Sequence, residues 1–244
     1  MTAFFKGKKN IIAALLIFAG VAATMIFLNT LYGNPFSKAN AEKNIKAYII
    51  DTYGVKDFVL TDIAYDAAFK EYCATIAFAD SEDAVFDVAY SVKENRITDN
   101  YENTVANGLN TFLRLSSEYG KRVMDVISGH YTDDDVLCYG ELGKNQSLSQ
   151  CGEQLETDMA FNMYNLPLEA TVSVFMERED TSARQFAQDL TDLQMLMYAN
   201  EIAVDYYDIM YNSSVLLEDF PSSVVVENLE NTDALAECIE RFMQ

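Results

Sequence analysis

His130 is the only histidine in the chain, so a serine or cysteine nucleophile would have one imidazole to take its proton, and a histidine-rich metal site is excluded. It stands in Ser128-Gly129-His130-Tyr131, a turn-like setting that favours exposure. No positioned nucleophile or orienting acid accompanies it, and a solvated linker explains the residue without chemistry. Asp133, Asp134 and Asp135, with Glu141 nearby, are hard oxygen ligands of the kind Ca²⁺ takes. The spacing and glycine of an EF-hand are absent, and three adjacent carboxylates point in different directions, so a solvated turn is the simpler reading of the triplet. A second acidic group, Asp80, Glu82, Asp83 and Asp87, falls between two apolar alternating runs. A pair of carboxylates at a defined separation could hydrolyse a glycosidic bond. Acids are abundant here, however, and hairpin tips are polar for solvation alone. Tyr198, Tyr206, Tyr207 and Tyr211 cluster in a chain with 15 tyrosines and no tryptophan. Such tyrosines suit an interface, but strand propensity and core packing explain them equally, with Tyr206 on the apolar side of its strand. There is no glycine-rich phosphate loop, no CxxC pair and no basic stripe, so nucleotide binding and structural zinc are poorly supported.

The elements that must position these residues begin with an apolar segment. Ile11–Leu28 carries no charge and continues through Leu31 and Tyr32. At about 1.5 Å per residue it spans the roughly 30 Å hydrocarbon layer as a helix. Residues 1–10 then form a basic cytoplasmic tail and 11–32 a transmembrane helix. The small residues Val21 and Ala23 would suit a signal peptidase, but Met25, Ile26, Phe27 and Leu28 lengthen the run beyond a usual signal sequence. Lys6, Lys8 and Lys9 precede the run and no basic residue follows it until Lys38, which orients the N-terminus to the cytoplasm and the rest outside the cell. Three of the 17 basic residues are those lysines, leaving 14 against all 38 acidic residues beyond Pro35, a net −24. That charge excludes nucleic acid as a partner and opposes adhesion to anionic lipid, and it suits solubility, cations or a basic partner. Cys73, Cys138, Cys151 and Cys238 lie in the exported part, where oxidation is open to them, and four cysteines allow three pairings. A disulfide between Cys138 and Cys151 would close a short loop and add about 3 kcal/mol. Cys238 instead shares one helical face with Leu235, Ile239 and Phe242.

Periodicity supplies an α+β architecture of two small domains, 35–130 and 131–244, each with helices on an antiparallel sheet. In the first, Asn34-Pro35 starts a helix whose Ala41, Ile45, Tyr48 and Ile49 share a face until Gly54. Strands follow at 58–65, 72–78 and 85–92, the last two alternating strictly. Lys93–Asn95 is a turn, and Asp99 with Glu102 caps a second helix carrying Val105, Leu109, Phe112, Tyr119, Val123 and Val126. The order is α-β-β-β-α. The second domain reads β-β-α-β-β-α. Its strands are 136–142, Leu168–Met176, 202–211 and 223–227, its helices are one carrying Phe186, Leu190, Leu193 and Met197 and a last one capped by Asn231, and a hint of helix runs through Leu155, Met159 and Met163.

Three stretches, NPFSKANAEKNIKAYIIDTYG, NRITDNYENTVANGLNTFLRLSSEYGKRV and CYGEL, resemble the YfjL-like membrane-anchored proteins of Gram-positive bacteria. The resemblance spans most of the chain except 143–165. It implies a single-pass protein with two exported α+β units, and it transfers no active-site residue. Signals for packing are plentiful and those for catalysis missing, so the expected function is a membrane-anchored extracytoplasmic interaction module for a protein or cationic envelope ligand. The rival classes are a carboxylate-dependent hydrolase of envelope polymers and a structural subunit of a membrane complex.

Overall fold

The computed structural model describes residues 2–61, 63–131, 136–162, 166–212 and 215–243, the side chains of residues 2–15 and of Val215 excepted. Helix α1, Thr2–Tyr32, is long and apolar enough to cross a membrane. Its side chains from Leu16 to Leu28 are nearly all exposed, as none of the described residues covers them. Beyond it the chain divides into two compact units at Thr104/Val105.

In the first unit, Gly33 leaves α1 at φ +73°, and the Asn34 Oδ1 accepts the Phe36 N–H at 2.9 Å to cap helix α2, Pro35–Tyr53. Gly54 closes α2 in the left-handed region, its N–H on the Ile50 carbonyl, as the sequence leads one to expect. Ala41, Ile45 and Ile49 are fully buried. The sheet beside α2 is wholly antiparallel, with strands β1 (Phe58–Leu60), β2 (Ala64–Asp66), β3 (Glu71–Phe78), β4 (Val85–Ser91) and β5 (Arg96–Asp99) in the order β1-β3-β4-β5, β2 pairing with the other half of β3. Alternation puts Tyr72, Ala74 and Ile76 on the buried face with Phe86, Val88 and Tyr90. The single strand expected over 58–65 is two. The Thr61 N–H still donates to the Thr75 carbonyl at 3.0 Å, but Thr61 Oγ1 accepts the Thr75 N–H at 3.0 Å, so a side chain takes over half of the ladder at the break. A fifth strand, β5, was not expected: Asn95, at φ +48°, turns the chain back on β4. Asp99 therefore ends a strand, and its Oδ1 accepts the Tyr101 N–H at 3.0 Å, capping the short helical turn that follows rather than the long helix expected there. Its carboxylate accepts the Tyr48 and Tyr53 hydroxyls at 2.5 and 2.9 Å.

After a π-helical turn, Glu102–Ala106, helix α3 runs from Leu109 to His130. Its stripe, Phe112, Leu115, Tyr119, Val123 and Ile127, is buried in the second unit's core, so the expected boundary at 130/131 moves to 104/105. Gly140 makes that packing feasible, since a Cβ there would lie 2.7 Å from the Tyr119 ring and 2.8 Å from Val123. The remaining elements are β6 (Val136–Leu142), α4 (Leu148–Gly152), β7 (Ala170–Met176), α5 (Ala183–Ala199), β8 (Tyr206–Tyr211), β9 (Val215–Pro221), α6 (Ser222–Glu227) and α7 (Thr232–Phe242). The second sheet has the order β6-β7-β8-β9. It is mixed rather than antiparallel: β7 and β8 run parallel, because α5 carries the chain back to the same end, the crossover that parallel neighbours require. Residues 223–227 lie in α6 instead of a strand. Pro221, lacking an N–H, ends β9 and leads into the helix as its N-cap residue. Ile202 is buried but lies before β8, and among the described residues of 155–162 there is no helix. Helices α3 and α5 cover one face of this sheet, on which Ala170, Val172, Val174, Met176, Tyr207, Ile209 and Tyr211 are buried.

Candidate functional site

The other face of the second sheet bears the side chains that alternate with that core: Leu137, Tyr139 and Glu141 on β6, Thr171, Ser173 and Phe175 on β7, and Tyr206, Asp208 and Met210 on β8. Register sets them in rows across the strands. One row is apolar, Leu137-Phe175-Met210-Leu216, with Leu137 68% and Leu216 42% exposed. Tyr139, 41% exposed, stacks on Phe175 at 5.8 Å.

The next row, Tyr139-Ser173-Asp208, meets a β-bulge. The pairings Tyr207 with Phe220 and Ile209 with Leu217 leave Glu218 and Asp219 opposite the one residue Asp208. A bulge inserts an extra residue in one strand, and here it brings three carboxylates together. Lys144, reaching over from the end of β6, donates to Asp208 Oδ2 at 2.8 Å, Asp219 Oδ1 at 3.1 Å and Glu218 Oε1 at 3.2 Å. The Ser173 hydroxyl donates to Asp208 Oδ2 and the Asp219 N–H to Asp208 Oδ1, each at 2.8 Å. Burial alone would lower the lysine's pKa, but its hydrogen bonds to Asp208, Asp219 and Glu218 outweigh it, so the ammonium is held above its ordinary value. A lysine kept protonated is neither nucleophile nor base. The knot is a charged, pre-organised border to the apolar row.

A second buried carboxylate lies at the end of the parallel pair β7 and β8, where open α/β sheets bind ligands. Asp189, 5% exposed, accepts Arg178 Nε at 2.9 Å, Arg178 Nη2 at 3.2 Å and the Tyr211 hydroxyl at 2.5 Å. Phe186 stacks on Tyr211 at 4.0 Å, and Asn212 brackets the Arg178 backbone from both sides. This carboxylate is engaged by two partners through both oxygens, and the cluster ties α5 to both strands.

The residues singled out in the sequence are scattered. His130 is exposed at the end of α3, its ring edge-on to Tyr131 at 4.9 Å, and among the described residues it has no hydrogen bond to a nucleophile or acid. Asp133, Asp134 and Asp135 lie outside the described residues; Glu141 is half-buried on the outer face of β6. Asp87 sits along β4 bonded to Thr75 at 2.6 Å, apart from Asp80 and Glu82, which are exposed at the hairpin, while Asp83 is buried. Among the described residues no group of three or more histidine, cysteine or carboxylate side chains is placed to hold a metal ion. The tyrosines also separate. Tyr207 and Tyr211 are core, Tyr206 is on the opposite face, against the expectation, and Tyr198 is 82% exposed on α5. The four cysteines are free. Cys151 Sγ lies 3.8 Å from the Gly143 carbonyl, whereas Cys138 is five residues back along an extended strand, about 16 Å away. A disulfide tolerates only about 7 Å between Cα atoms, so the pair is too far apart to bridge. Burial pushes both thiols up, which makes them sluggish nucleophiles.

Asp208, Lys144, Asp189 and Arg178 were not singled out in the sequence. Two signals were there: Asp208 interrupts the apolar run of its strand, and Asp189 shares the helical stripe of Phe186, Leu190 and Leu193.

Residues 8–105 match the YfjL-like N-terminal domain and residues 118–241 the YfjL-like C-terminal domain. No curated protein and no solved structure matches the chain. The matched segments cover both units from α1 to α7, and the chain therefore belongs to the YfjL-like family.

Proposed function

We propose that the protein is a membrane-anchored extracytoplasmic interaction module, with α1 spanning the cell membrane of a Gram-positive bacterium and the outer face of the second sheet presented to a protein or cationic envelope ligand. The observation that carries this reading is the apolar row Leu137-Phe175-Met210-Leu216, exposed at Leu137 and Leu216 and half-buried at Phe175 and Met210, beside a carboxylate knot. A solvated face of a sheet is ordinarily polar, and an apolar patch with a polar rim is the anatomy of a binding surface. The three carboxylates around Lys144 leave the rim with an excess of negative charge, which favours a basic partner. Orientation follows from the lysines before α1, and the Gram-positive setting from the family resemblance.

The test places a photo-crosslinking phenylalanine analogue at position 137 of the full-length protein in its native membrane, with position 59 of the first sheet as the control. A discrete adduct from 137 only, abolished by Phe175→Glu without a change in melting temperature, is the expected result. No adduct from 137, together with turnover of a wall-derived polymer that Asp208→Asn abolishes, would replace this reading with the hydrolase.

A further inference from the structure

We propose that the α1-proximal end of the first unit is itself a membrane-surface site: its two hairpin tips rest in the headgroup layer of an anionic phospholipid bilayer, with Phe36 and Phe69 in the interface and Lys70 and Lys93 on lipid phosphates. The proposal rests on the reading of α1 as a membrane anchor.

The geometry begins at the junction. The Tyr72 hydroxyl accepts the Asn34 N–H at 2.8 Å and donates to the Asn34 carbonyl at 3.0 Å, so the first residue after Gly33 is tied to β3 by both of its backbone groups. Gly33 itself passes so close that a Cβ there would lie 2.6 Å from the Tyr72 hydroxyl and 2.8 Å from the Tyr65 ring. The sheet is thus clasped to the end of α1 rather than hung from a loose linker.

That clasp sets the height of the neighbouring loops. Lys70, in the β2–β3 hairpin, and Lys93, in the β4–β5 hairpin, line one cleft with Asn29, Asn34 and Ser37. Asn29 and Thr30 interrupt the apolar run in the last turn of α1, which ends at Tyr32, and over that turn a spanning helix leaves the hydrocarbon and enters the headgroups. Both lysines therefore stand at headgroup level. The cleft, at about 260 Å³, is smaller than the roughly 300 Å³ floor of pockets for drug-sized ligands and suits a headgroup.

The side chains there have the composition of an interface. Phe36 is 87% and Phe69 76% exposed, and Tyr32 and Val92 are exposed beside them. Aromatic rings at the ends of a spanning helix partition into the headgroup layer. Asp66 Oδ1 accepts the N–H groups of Ala68 and Phe69, so the tip that carries Phe69 is held in shape. Among the described residues neither Lys70 nor Lys93 is ion-paired, whereas Arg96 is bridged to Glu94 at 3.1 Å. The net −24 of the exported part repels anionic lipid as a whole, but with a screening length of about 8 Å local charge decides: the charged residues lining the cleft are Lys70 and Lys93, and neighbouring Glu94 is already paired with Arg96.

The chain has no tryptophan, so each single substitution is a clean reporter. Full-length Phe69→Trp, Phe36→Trp, Phe27→Trp and Val59→Trp variants are reconstituted in phosphatidylcholine–phosphatidylglycerol vesicles, with and without acyl-chain bromination near the headgroup. Val59 opposes Ala77, six residues along β3 from Glu71, or about 20 Å from the clasped end. The expected result is quenching of the indoles at 27, 36 and 69 and none at 59, with the quenching at 69 reduced by Lys70→Glu/Lys93→Glu and by omission of phosphatidylglycerol. Quenching at 27 without quenching at 36 and 69 overturns this proposal and leaves the anchor intact. No quenching at 27 overturns the anchor and the proposal together. The exposed positions 36 and 69 serve as independent reporters, and matching melting temperatures certify each variant as folded.

Discussion

Lys144 holds three carboxylates on a sheet face at distances of 2.8 to 3.2 Å, and its removal leaves Asp208, at 7% exposure, without its cation. A buried charged group deprived of a partner costs about 1–3 kcal/mol, less than a fully buried pair because Lys144 reaches solvent. Lys144→Met is therefore expected to lower stability by that amount in denaturant melts of the full-length protein, and an unchanged midpoint would mean that the knot is ornamental. The buried tyrosines give a second test. Burial, then Asp189 and Asp192, push the Tyr131 hydroxyl up to about 12, and Tyr207 and Tyr211 are raised as well. The unfolded chain ionises near 10, so it sheds these protons first, and the stability they contribute is full below about pH 10 and lost as pH rises through about 12. Melting temperature should fall over that window in step with tyrosinate absorbance. Ionisation of every tyrosine near pH 10 in a still-folded protein would contradict the assignment. These residues were only partly legible in the sequence. A lone Asp in YYDIMY signals a buried acid, but its partner Lys144 lies 64 residues away and a bulge decides which carboxylates join it.

At the scale of elements, the clasp between α1 and the first sheet is the most specific feature. Tyr72→Phe removes both hydrogen bonds to Asn34, and Gly33→Ala forces a Cβ against Tyr72 and Tyr65 at a left-handed φ. Each should cost about 1–2 kcal/mol and expose the Gly33-Asn34 bond to protease. Equal cleavage of the wild type would show that the junction is loose. The thiols give another prediction. With Cys138 in mid-strand and Cys151 against Gly143, alkylation of protein unfolded without reductant should find both free, and a linked Cys138–Cys151 peptide would contradict the fold locally. Elements with strong local signals were readable. The Asn34-Pro35 start, the Gly54 stop, the alternating β3, β4 and β7, the short strand β6 and the stripe of α5 all stand where the sequence pattern puts them. What failed depended on distant partners. The Thr61 hydroxyl took half of the ladder where the first strand breaks, Asp99 shared its capping role with two tyrosine hydroxyls, α5 turned an antiparallel pairing into a parallel one, and α3 went to the second unit because its stripe faces β6.

For the whole molecule, the organisation is an apolar helix and then two α+β units, and every acidic residue lies beyond that helix. If α1 spans the bilayer with its lysines inside, everything proposed for the sheet faces is presented outside the cytoplasm. The direct measurement is proteolysis of intact protoplasts carrying the full-length protein with an N-terminal tag. The expected result is loss of both units with a short tagged fragment retained in the membrane. A full-length protein shielded until the protoplasts are lysed, or a product released into the medium without its apolar segment, would contradict it.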